Sequence, residues 1–134
     1  MGVIAVGYVP KPEGQAALRL SITEAKLRGA SLLVVNSHRG GREFEPGEGA
    51  ELDSQLDDVR KRLDDAGVEY DIRQLVRGLD PAEDLIKVAG EVSAELIIIG
   101  LRKRSPVGKL ILGSNAQRIL LDAPCPVLAV KADE

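Results

Sequence analysis

Aromatic side chains are nearly absent from this 134-residue chain: Tyr8, Phe44 and Tyr70 are all it has, with no tryptophan. The core must therefore be packed from Leu, Ile, Val and Ala. The surface has no set of ring faces on which nucleic-acid bases could stack. Cys125 is the single cysteine, which excludes an internal disulfide framework and a cysteine zinc cluster and suits a reducing compartment. His38 is the single histidine; with no nucleophile or orienting carboxylate beside it, it reads as a surface loop residue rather than a general base. No apolar run reaches membrane-spanning length, and the opening MGVIAVGYVP is too short and lacks the leading positive charge of a secretory signal. The expectation is a cytoplasmic protein that binds neither nucleic acid nor membrane, and the formal net charge of -3 agrees.

The chain does have 44% hydrophobic and 29% charged residues, a globular balance, and its length fits one domain over 1–134. Val3 to Tyr8 reads as a buried first strand. Glu13 to Gly29 reads as a helix with Leu18, Ile22 and Ala25 on one face, ended by its glycine. Ser31 to Asn36 is a second apolar strand, and Ser37 to Glu51, rich in glycine and charge, is the one long loop. Leu52, Leu56, Val59, Leu63 and Ala66 then form the stripe of a second helix, closed by Gly67. Ten acids lie between Glu43 and Glu69 against Arg60, Lys61 and Arg62, the pattern of a solvated helix face rather than a metal site.

Val68 to Val76 alternates loosely, as an edge strand with one wetter face does. Asp80-Pro81 opens a third helix with Ala82, Leu85, Ile86, Ala89 and Val92 as its buried stripe. Leu96 to Ile99 is a wholly apolar fourth strand that Gly100 ends. Pro124-Cys125-Pro126 leads into a fifth, Val127 to Val130, where Cys125 suits packing better than redox chemistry. Buried strands alternating with amphipathic helices imply a doubly wound α/β fold, a parallel sheet with helices on both faces. In such a sheet a ligand sits beyond the strands' carboxyl ends where the strand order reverses, so the loops after strands one and four are the candidates.

The loop after strand four is distinctive. Between Gly100 and Leu121 lie Arg102, Lys103, Arg104, Lys109 and Arg118 with no acid. Ser114 is placed to cap a fourth helix carrying Ala116, Ile119 and Leu120, whose first amides would favour an anion. A solvated basic loop accounts for the same residues. Gly108-Lys109 does not complete a phosphate-binding P-loop, which needs glycine at 103 and Ser or Thr at 110, where the chain has Lys103 and Leu110.

Gly100, nine residues from Lys103 to Gly113-Ser114, a helix, and the closing Ala123-Pro124-Cys125-Pro126-Val127-Leu128 resemble the universal stress protein family, and the resemblance covers nearly the whole chain. It implies a five-stranded sheet in the order 3-2-1-4-5, a non-enzymatic sensor or regulator, and a homodimer formed through the fifth-strand edge of Val127, Leu128, Ala129 and Val130. It also implies an adenine nucleotide, ATP or AMP, with no metal. Gly100, Gly108, Gly113, Ser114 and Asn115 would face phosphates and ribose, and Gly7, Tyr8, Asn36 and Ser37 would surround the base. Two positions depart from the family pattern: Lys103 replaces its second loop glycine, and Gly7 stands at its strand-one aspartate. Together they point to weakened or altered ATP binding, with Arg102, Lys103 and Arg104 available to hold phosphates by side chain. The alternative is a member that binds no nucleotide and acts as a protein–protein interaction module, its basic loop docking an acidic partner.

Overall fold

The computed structural model describes residues 2–39, 48–78, 80–101 and 112–132. Among the described residues nine elements alternate: β1 (Val3–Gly7), α1 (Pro12–Arg28), β2 (Ser31–Arg39), α2 (Glu48–Ala66), β3 (Tyr70–Gly78), α3 (Pro81–Glu91), β4 (Leu96–Leu101), α4 (Ser114–Asp122) and β5 (Val127–Lys131). The strands make one parallel sheet in the order β3-β2-β1-β4-β5. β1 therefore lies between β2 and β4, pairing Val6 with Val34 on one side and with Ile98 on the other.

The strands are apolar on both faces because both are covered. Ile4, Val6, Leu32, Val34, Leu96 and Ile98 point to one face, where Ala17, Leu18 and Ala25 of α1 and Val59 and Leu63 of α2 bury them. Ala5, Leu33, Val35, Ile97 and Ile99 point to the other, under Leu85, Val88 and Ala89 of α3 and Ile119 of α4. Ile4, Val6, Leu18, Val34, Val59, Leu63, Ile97 and Ile98 have no measurable exposure.

Backbone punctuation follows the expected chemistry in most places. Gly29 and Gly67 adopt positive φ, 64° and 72°, and end α1 and α2. Asp80 is the N-cap of α3: the Glu83 amide donates to its Oδ1 at 3.1 Å, and Pro81 opens the helix. Several boundaries differ from the sequence reading. β2 continues to Arg39, which places His38 in a strand rather than in a loop, and α2 begins at Glu48, inside the stretch expected to be loop. The rest of that stretch, 40–47, lies outside the described residues. β3 reaches Gly78 and occupies a sheet edge, as its looser alternation suggests.

Gly100 does not end β4; the strand runs on to Leu101. The glycine is there for space. A Cβ at position 100 would lie 1.8 Å from the Glu13 carbonyl oxygen, so only glycine lets the first turn of α1 rest against β4. Gly14 serves the same junction, since a Cβ there would fall 1.7 Å from the Val9 carbonyl oxygen. The β1–α1 connection is thus folded tightly onto the carboxyl end of the sheet.

Candidate functional site

A cavity of about 160 Å³ opens at the carboxyl ends of β1 and β4, where the strand order reverses. Gly7, Val35, Leu85 and Ile99 line its apolar floor. Val9, Glu13 and Gly14 line it from the start of α1, Pro81 and Ala82 from the start of α3, and Asn115, Ala116 and Ile119 from α4. Three helix N-termini therefore converge on one hollow.

They are not electrostatically alike. The start of α3 is closed to an anion: Asp80 caps it, and Glu83 and Asp84 lie in its first turn. α1 has Lys11 as N-cap with no side-chain cap bond, Pro12 in its first turn with no amide hydrogen, and Glu13 as an acid. α4 has neither a side-chain cap bond nor an acid in its first turn. Its N-cap is Gly113, and Ser114 is the first helical residue. The expectation that Ser114 caps this helix is corrected: Gly113 holds the N-cap position and has no side chain to cap with.

Gly7, Tyr8, Gly100 and Asn115 all line the cavity, so the structure brings these four sequence-selected residues together. Gly113 and Ser114 stand beside them at the start of α4. Asn36 belongs to β2 and is buried, 1% exposed, with no partner for its Nδ2; it is not among the lining residues. Ser37 continues the β2 backbone and pairs with Leu75. Arg102, Lys103 and Gly108, with Arg104, lie outside the described residues.

The Tyr8 ring packs into the core on the α1–α2 face and is 3% exposed. Its phenol oxygen accepts from Gln15 Nε2 at 2.9 Å, and Gln15 Oε1 in turn accepts from Arg62 on α2. Burial raises the phenol pKa, opposed in part by the Gln15 bond and the Arg62 charge. Tyr8 thus borders the cavity while its hydroxyl is held by Gln15 of α1, which Arg62 links to α2. A Cβ at Gly7 would meet Leu85 Cδ2 at 3.2 Å, so that position faces the packed floor. Val9, 36% exposed, stands at the rim. A carboxylate offered to a ligand from the end of β1 would extend most freely from position 9, where this chain has an apolar side chain.

Sequence reading missed the role of Arg118. Its Nη1 donates to Asp80 Oδ2 at 3.2 Å, its Nη2 pairs with Glu83, and its Nε lies 3.8 Å from Asp122 Oδ2. The positive charge that looked free in the basic segment is spent on three carboxylates, two of them on α3. Only the Asp122 contact, four residues on in one helix, was legible as a spacing. Among the described residues, no group of three or more His, Cys, Asp or Glu could hold a metal ion.

The chain is thus an open doubly wound α/β domain with a cavity at its strand-order reversal, the place where ligands bind in sheets of this class. The universal stress protein family model matches residues 1–131, and the chain belongs to that family. A universal stress protein of Mycolicibacterium smegmatis is 46% identical over 129 residues, covering 96% of this chain and 97% of the relative. A universal stress protein structure from Archaeoglobus fulgidus superimposes with a TM-score of 0.84 at 37% identity, covering 98% of this chain and 99% of the other. A second structure from that organism, in complex with dAMP, gives a TM-score of 0.79 at 30% identity, with 98% of both chains covered.

Proposed function

We propose that this protein is a non-enzymatic regulator that binds an adenine nucleotide in the cavity between the loops after β1 and β4. The observation that carries this reading is the junction of an apolar hollow with the N-terminal turn of α4, which carries no acid, at the strand-order reversal. The dAMP complex of the 30% identical relative supports it. In this reading the phosphates lie toward Gly113, Ser114 and Asn115, with Gly100 in the cavity wall, and Arg102, Lys103 and Gly108 remain candidates from the sequence alone. The base lies toward Gly7, Tyr8 and the end of β2 at Asn36 and Ser37. Tyr8 contributes wall and backbone, since its ring is committed to the core.

The test is direct. The purified protein is denatured and its released small molecules identified, and the nucleotide-free protein is titrated calorimetrically with ATP, ADP and AMP. Stoichiometric release or micromolar binding is expected. No release and no heat would overturn the reading in favour of a protein–protein interaction module.

The same reading makes the protein a homodimer joined through β5. That strand ends the sheet order, and Val127, Leu128 and Val130 are only half-buried while Ala129 is exposed. An unpaired apolar edge of this kind is normally covered. Light scattering should return twice the 14.3 kDa chain mass; a monomer at micromolar concentration would refute the pairing.

A further inference from the structure

Two acids, the cap Asp80 and Glu83, stand at the start of α3, which forms one wall of the cavity, whose lining also includes Asn115 and Ala116 from the first turn of α4. Left unneutralised they would oppose any anion bound there. Arg118 lies one turn along α4 from Ser114 and holds both carboxylates, together with that of Asp122. Its own side chain is 43% exposed, and those of Asp80 and Glu83 are 41% and 27% exposed. The cluster therefore sits in partly screened surroundings, where pairs of this kind add little to folding stability but still shape the local field.

We propose that Arg118 is the positioning residue of the phosphate subsite: it offsets part of the negative charge of the α3 carboxylates and sets the start of α4 against α3, so that the first turn of α4 can receive the nucleotide's anionic end. This rests on the nucleotide reading above and adds to it a residue that does not itself contact the ligand. Asp80 is the hinge of the arrangement, because one oxygen caps α3 while the other receives Arg118.

The role predicts a loss that grows with ligand charge, which a purely structural residue would not give. Adenosine, AMP and ATP are titrated into the wild type and R118Q, at low and high salt. R118Q should weaken adenosine least, AMP by about threefold more and ATP by about tenfold more, the scale of one uncompensated charge at partly solvated range. The difference should shrink at high salt. Adding E83Q to R118Q removes one of the exposed carboxylates and should restore part of the ATP affinity. Equal losses for all three ligands, or none, would overturn the proposal while leaving the nucleotide reading intact. A wild type that binds none of the three overturns the nucleotide reading, and this proposal with it.

Discussion

Arg118 and Asp80 are 38 residues apart in the chain and meet at 3.2 Å, joining α4 to the cap of α3. Because Asp80 also accepts the Glu83 amide, its two oxygens do separate work. Asp80→Ala removes both and is expected to cost about 1–2 kcal/mol, mostly from the lost cap. Asp80→Asn keeps a cap acceptor and should cost less than half as much. Urea unfolding of the two variants measures the difference, and equal losses would show that the ion pair, not the cap, dominates.

Gly100 and Gly29 are predicted to resist substitution for different reasons. Gly100→Ala drives a methyl into the Glu13 carbonyl and should cost at least about 3 kcal/mol, because backbone rather than a side chain must move. Gly29→Ala meets nothing within 4 Å and loses only the ease of its positive φ, about 1 kcal/mol. Asparagine, which tolerates that conformation, should be milder than alanine at 29 and worse than alanine at 100. The same rank order at both sites in chemical denaturation would contradict this.

Tyr8 gives the fold an alkaline limit. Its pKa is raised, chiefly by burial, so the folded state favours the neutral phenol. The resulting stability is fully present below the unfolded value of about 10 and is lost as pH rises through the higher folded value. Between pH 9 and pH 11 the wild type should therefore lose more stability than Tyr8→Phe, which has no proton to give up. At neutral pH that variant should be less stable by about 1 kcal/mol, from the Gln15 donor left unpaired. Parallel stability profiles across this range would remove Tyr8 as the cause.

Cys125, half-buried before β5, has its thiol pKa raised by burial. Less thiolate is present at a given pH than in a free cysteine, so alkylation by iodoacetamide at pH 8 should be slower in the native protein. Denaturant should restore the free-thiol rate. A native rate equal to or above that of free cysteine would show an activated thiol.

Much of the architecture was legible in the chain. Consecutive apolar β-branched residues such as Ile97, Ile98 and Ile99 can be satisfied only by a strand covered on both faces. The helical stripes supplied the covers, and Gly29, Gly67, Asp80 and Pro81 announced their ends through backbone chemistry that acts within a few residues. These signals are local, so sequence alone determined a doubly wound α/β domain, and its last third carried the family resemblance.

Tertiary structure decided what depends on distant partners. Gly100 reads as a stop until Glu13, 87 positions earlier, is found against it; packing rather than turn geometry demands the glycine. Ser114 reads as a cap until the helix is found to start from Gly113, and Tyr8, which does border the cavity, shows its tie to Gln15 only once α1 folds against it. Arg118 reads as free charge until α3 brings two carboxylates to it. Hydrophobic periodicity is set by each element alone, whereas hydrogen bonds, ion pairs and close approach belong to pairs of residues. Only the folded chain determines which pairs meet.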